Sequence, residues 1–105
     1  VLRSAYGSWP SPIDAALTAA HDGMPEWVGF VGDEVWWTGP RPVEGGRRAL
    51  VRRRADGGEE TVLPAPWDVR SRVIEYGGRP WCGVELDGGP LVVFAHFADQ
   101  RLYRY

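Results

Sequence analysis

From Pro25 onward, apolar and polar residues alternate with a period of two, the spacing of half-buried β-strands. The pattern predicts strands over 26–31 and 34–38, joined by a Gly32-Asp33 turn suited to a type II′ hairpin. A Pro/Gly loop over 40–46 leads to a third strand over 48–54, and an Asp56-Gly57 hairpin to a fourth over 60–63. Residues 64–80 read as irregular, with a short extended piece over 69–74. Two more strands follow over 81–86 and 91–97, about an Asp87-Gly88-Gly89 turn, and after a tight turn at Ala98-Asp99 a last strand runs over 101–105. Only one stretch has helical signals. Ser11 reads as its N-cap, Pro12 as its first residue and Asp14 as a favourable charge at its positive end. It runs through Ala15–Ala20 and closes at His21-Asp22-Gly23, with Gly23 as C′.

The strand pattern occurs twice. Trp27-Val28-Gly29 returns as Trp81-Cys82-Gly83, and the Gly32-Asp33 turn as Asp87-Gly88-Gly89. The apolar strand around Val35 and Trp37 returns around Leu91 and Val93, and Leu50-Val51-Arg52-Arg53 returns as Leu102-Tyr103-Arg104-Tyr105. The offset is about 52 to 56 residues, the spacing of four-stranded antiparallel propeller blades. The chain is therefore expected to be mainly β. Residues 1–25 form a lead-in with the helix, 26–63 a first blade, 64–80 an inter-blade segment and 81–105 a second blade lacking its outer hairpin strand. Since a blade buries its faces only against its neighbours, this predicts a segment of a larger protein.

Composition sharpens the picture. The chain has 105 residues, of which 44% are hydrophobic and 25% charged, ordinary for a folded soluble domain and too apolar for disorder. Fourteen Gly and nine Pro fit a chain that turns often. Six Trp are a heavy load for one small domain and are read as blade-packing residues. No apolar run is long enough to span a membrane, and one cysteine suits a cytoplasmic protein. A net charge of −2 argues against a general nucleic-acid binder.

Chemistry is sparse. Ser4, Ser8, Ser11 and Ser71 all lack the Gly-x-Ser-x-Gly frame of a nucleophile elbow. His21, His96 and Cys82 lack metal-ligand spacing, so no metal or other cofactor is expected; Cys82 reads as a small buried hydrophobe and His96 as a strand residue with a satisfied hydrogen bond. Arg52-Arg53-Arg54 could form a phosphate patch, but the Asp56-Gly57 turn sets Arg54 opposite Glu59 and Arg53 opposite Glu60, which neutralises it. The best candidates are Arg70, Arg72, Glu75 and Tyr76 in the inter-blade segment, where propellers present residues to a cavity or a partner domain. Glu75 could hold a cationic group with Arg70 or Arg72 orienting it, or simply pair with one of them to pin the loop. Trp67, in a Pro-rich loop, could line a substrate site or pack in the core.

Several stretches resemble one known family: Tyr6-Gly7-Ser8-Trp9-Pro10-Ser11-Pro12-Ile13, Glu44-Gly45-Gly46-Arg47 with Leu50-Val51-Arg52, Val69 through Gly78, and Phe97 through Arg104. In order and spacing they are similar to the N-terminal part of bacterial serine peptidases of the prolyl oligopeptidase family, of the aminopeptidase or acylaminoacyl-peptidase kind. The resemblance implies a multi-bladed propeller covering an α/β-hydrolase domain that follows it and carries the Ser, Asp and His of the triad. The propeller would then gate access for short peptides or aminoacyl amides, and Glu75 could hold the substrate's free amino group, with Arg70 or Arg72 orienting it. The other class that fits the repeat is a propeller used only as a binding scaffold.

Overall fold

The computed structural model describes residues 3–19 and 23–105. Seven strands form two antiparallel sheets. The first has the order β1 (Glu26–Val31), β2 (Glu34–Arg41), β3 (Arg47–Arg53), β4 (Glu59–Thr61). The second has the order β5 (Trp81–Leu86), β6 (Gly89–Ala95), β7 (Leu102–Arg104). Each strand pairs with its sequence neighbour, the meander that the repeat predicts, so the chain is mainly β with four- and three-stranded propeller-like sheets.

The one α-helix among the described residues, α1 (Ala15–Ala19), begins later than Ser11 implies. Asp14 Oδ1 accepts the Leu17 N–H at 2.7 Å and is the N-cap, while Ser11 Oγ accepts the Ile13 N–H at 3.1 Å in a turn upstream. Aspartate caps as well as serine, and the Ser11 oxygen is spent locally. The expected closure at His21-Asp22 lies outside the described residues; Gly23 does have a positive φ of 73°.

Other elements differ from the alternation pattern, among them β6, which starts at Gly89 opposite Leu86 and leaves a two-residue Asp87-Gly88 turn. β2 continues through Pro40, which pairs with Arg48, because β1 stops opposite Thr38 and leaves β2 a single neighbour there. The β3–β4 loop has three residues, not two: Arg54 N–H bonds Gly58 O at 2.9 Å, and Gly57 takes the left-handed position with φ 86°. The register therefore moves by one, setting Arg53 opposite Glu59 and Arg52 opposite Glu60. The charges still cancel, since Glu60 pairs with both Arg52 and Arg54, and Glu59 with Arg53. The hydrogen bond from Arg52, followed by the charges of Arg52 and Arg54, holds the Glu60 carboxyl below its usual range. Finally, the extended piece expected over 69–74 shrinks to a single bridge, Val69 with His96, followed by a 3₁₀ turn over Val73–Glu75.

The core lies between the sheets: Val31, Trp36, Leu50, Val62, Leu63, Val69, Trp81, Val92 and Phe94. Trp36 packs on Trp81 at 6.3 Å between ring centroids. The repeated glycines serve this packing. A Cβ on Gly83 would lie 2.8 Å from Val31 Cγ2, and one on Gly29 would lie 3.2 Å from the Trp81 ring. Of the six Trp, Trp36 and Trp81 are buried, Trp37 and Trp67 half-buried, and Trp9 and Trp27 exposed. Cys82 is exposed rather than buried, because strand alternation turns Trp81 inward and Cys82 to the opposite face of β5.

The segment between the two sheets, residues 64–80, is tied to both of them. Val69 N–H bonds Arg48 O on β3 at 2.8 Å, and Arg70 N–H bonds Ala95 O on β6 at 3.1 Å. Asp68 Oδ1 accepts the Arg48 N–H at 2.9 Å, while the buried Arg47 bonds Leu63 O at 3.2 Å and Trp67 O at 3.0 Å. These bonds fix where residues 70–78 emerge.

Candidate functional site

A cleft of about 920 Å³ opens where the two sheets meet the segment that joins them. Arg70, Arg72, Glu75 and Tyr76, expected together from the sequence, all line it. Trp67 does not. It packs edge-on against Phe94, His96 and Tyr103, with ring centroids 4.8 to 5.5 Å away. Beneath it His96 Nδ1 accepts the Asp68 N–H at 3.2 Å.

The loop carrying Glu75 is held in an unusual backbone shape. Ile74 and Glu75 have φ of 48° and 62°, a region that costs a β-branched residue most. Tyr76 N–H and Gly77 N–H both bond Val73 O, at 3.2 and 3.0 Å. Ser71 Oγ accepts the Val73 N–H at 3.2 Å, and Gln100 Oε1 accepts the Arg72 N–H at 2.7 Å. The loop presents Glu75 and Tyr76 to solvent, with Tyr76 94% exposed.

Of the two arginines that could orient Glu75, Arg72 does so: its Nη2 lies 3.3 Å from Glu75 Oε2. Both side chains are largely exposed, so the pair is a weak tether and Glu75 remains open to another cation. Arg70 goes elsewhere. Its guanidinium lies over the Phe97 ring at 4.3 Å, and Arg72 approaches the same ring at 5.8 Å.

Among the cleft residues that sequence reasoning missed, three bear on the cleft's charges. Glu26 and Arg48, on β1 and β3, form an ion pair of 2.9 Å on the cleft wall. Phe97 supplies the aromatic floor under both guanidiniums. Its N–H bonds Asp68 O at 2.9 Å, which locks the end of the second sheet to the loop. The signal available was Phe97 inside a stretch already matched to a family, but nothing local tied it to Arg70. Among the described residues, no three His, Cys, Asp or Glu side chains come together as a metal site. Among them too, no helix is long and apolar enough to cross a membrane.

No family model and no curated sequence matches the chain. Solved structures do. Over its whole length the chain is 64% identical to a puromycin hydrolase, with a TM-score of 0.91. It is 66% identical over 96% of its length to a serine-to-alanine variant of puromycin hydrolase complexed with PGG, with a TM-score of 0.90. A puromycin-hydrolyzing peptidase of Mycobacterium tuberculosis is 45% identical over 95% of the chain, with a TM-score of 0.84.

The chain belongs to the prolyl oligopeptidase family of serine peptidases.

It spans only 15–16% of the length of these relatives, so it corresponds to a small part of a prolyl oligopeptidase family chain. The agreement reaches both sheets and the segment that joins them, including the stretches from Val69 to Gly78 and from Phe97 to Arg104 that border the cleft.

Proposed function

We propose that the protein of which this chain is a part hydrolyses amide bonds near the N-terminus of short peptides and aminoacyl amides, the chemical class of puromycin. The likeness to a puromycin hydrolase at 64% identity carries this reading. The triad belongs to an α/β-hydrolase domain outside residues 1–105. There a serine attacks the amide carbonyl, the amine leaves, and water releases the acyl group from the ester. The propeller portion, with 26–63 and 81–105 as blades and 64–80 between them, narrows access to that nucleophile. The single cysteine suits work in the cytoplasm.

In this reading Glu75 receives the free amino group of the substrate, with Arg72 fixing the carboxylate. The exposure of Glu75 and its loose pairing support it, because an incoming ammonium can share the carboxylate without first breaking a buried ion pair.

The test is Glu75→Gln in the full-length enzyme. KM for free-amine aminoacyl amides should rise roughly tenfold, and KM for the N-acetylated forms should barely move. Equal effects on both would leave Glu75 as a tether of its own loop. The 105-residue chain alone is expected to release no chromophore from aminoacyl amides; turnover by it would locate a triad inside it.

A further inference from the structure

The charges of the cleft do not balance. Its wall carries three arginines, Arg48, Arg70 and Arg72, and two carboxylates, Glu26 and Glu75. Each carboxylate pairs with one arginine: Glu26 with Arg48 at 2.9 Å and Glu75 with Arg72 at 3.3 Å. Arg70 is left over. No hydrogen bond or ion pair of its side chain to any described residue is present, and its only side-chain partner is the Phe97 ring.

Arg70 is exposed at the cleft, but both its backbone and the ring it lies over are anchored. The Arg70 backbone is fixed by its N–H bond to Ala95 O, and the ring under the guanidinium is half-buried and fixed by the Phe97 N–H bond to Asp68 O. Stacking on an aromatic face holds the guanidinium plane while leaving its edge N–H donors free, the fork that matches a carboxylate with two parallel hydrogen bonds. Holding the plane in advance also reduces the ordering cost of binding.

We infer that Arg70 binds the C-terminal carboxylate of a short peptide whose amino group lies at Glu75, making Arg70 a residue that selects free-acid di- and tripeptides. This rests on the reading of Glu75 given above. Arg70 and Arg72 approach one phenyl ring, at 4.3 and 5.8 Å, and Glu75 pairs with Arg72 at 3.3 Å, so the two charges to be met lie within the reach of a di- or tripeptide, which spans about 7–10 Å when extended. The two ends of a zwitterionic peptide meet opposite charges in one cleft, and a longer extended chain overshoots one of them.

The experiment is calorimetric binding to the full-length protein, with any turnover blocked by a sulfonyl fluoride. The probes are Ala-Ala-Ala as the free acid, its C-terminal amide, and Ala-Asp-Ala amide. The acid should bind about tenfold or more tighter than its amide. Arg70→Gln should bring that ratio close to one, and Arg70→Lys, which keeps charge without the planar fork, should retain part of it. A ratio near one in the unmutated protein overturns the inference, as does a ratio that Arg70→Gln leaves intact. Ala-Asp-Ala amide binding as tightly as the free acid overturns the assignment to the C-terminus. Because binding is read without turnover, failure to cleave aminoacyl amides defeats the proposed activity while the acid-to-amide ratio still decides the role of Arg70.

Discussion

The indole N–H of Trp81 donates to the backbone carbonyl of Trp27 at 3.0 Å, across 54 residues of chain. The two are repeat partners, yet they play opposite parts. Trp27 sits in a bulge of β1 with φ of 55° and is 43% exposed, while Trp81 is 3% exposed and packs on Trp36. The bulge takes Trp27 out of the β1–β2 ladder, and Trp81 Nε1 bonds the Trp27 carbonyl. One bond thus joins the first strand of one sheet to the first strand of the next.

Trp81→Ala is expected to be among the most damaging substitutions in this region. It removes a buried indole and leaves the Trp27 carbonyl without its donor, a loss of about 3–5 kcal/mol. Trp27→Ala should cost less, since that side chain is 43% exposed and makes no such buried bond. Denaturant midpoints of the two variants in the full-length protein check the order; equal losses would contradict it.

Two glycines with positive φ should respond differently to alanine. Gly57, φ 86°, has open space where a Cβ would go, so Gly57→Ala should cost only about 1 kcal/mol of backbone strain. Gly77, φ 81°, would place a Cβ 2.9 Å from the Ser71 carbonyl oxygen. Gly77→Ala should cost more and also displace the loop under Glu75, raising KM for free-amine substrates. Thermal unfolding and KM of both variants test this together.

Ile74 is 81% exposed with φ of 48°, a backbone that a β-branched residue adopts at a cost. Ile74→Asn should therefore stabilise the protein by about 1 kcal/mol, because asparagine tolerates that region. A destabilised variant would show instead that the side chain is covered by another part of the full-length protein.

Tyr103 donates its hydroxyl to Asp99 at 2.5 Å. That bond, with the Arg101 N–H, holds the Asp99 carboxyl below its usual value of 3.8, and the same bond raises the Tyr103 phenol above 10.0. Asp99 binds its proton less readily when folded. The stability it brings is thus present above the unfolded carboxylate pKa and lost as pH falls through the lowered one. On the alkaline side it is lost as pH rises through the raised phenol value. The melting-temperature advantage over Tyr103→Phe should be flat near neutrality and shrink below pH ~4. An advantage that grows in acid would contradict this.

The alternation of apolar residues carried the strand order, the meander and the doubling of the unit, because side-chain period and nearest-neighbour hairpins are local properties. Where local geometry had two solutions, sequence alone chose the wrong one. Asp56-Gly57 can close a two-residue or a three-residue loop, and only the β3–β4 ladder selects the latter. Ser11 and Asp14 are equally good caps, and only the backbone shows which oxygen reaches the helix.

The cleft divides in the same way. Arg70, Arg72, Glu75 and Tyr76 are close in sequence and could be read as a group. Sequence by itself determined that group, the two-fold strand repeat and the cancelled Arg52–Arg54 charge. Tertiary structure decided that Glu75 pairs with Arg72 and not Arg70, that Phe97 lies beneath both guanidiniums, and that Glu26 and Arg48 close the wall. The reason is distance along the chain. Arg70 and Phe97 come together only because β6 ends beside Val69, through bonds from Arg70 to Ala95 and from Phe97 to Asp68. No local pattern encodes a pairing between segments that far apart.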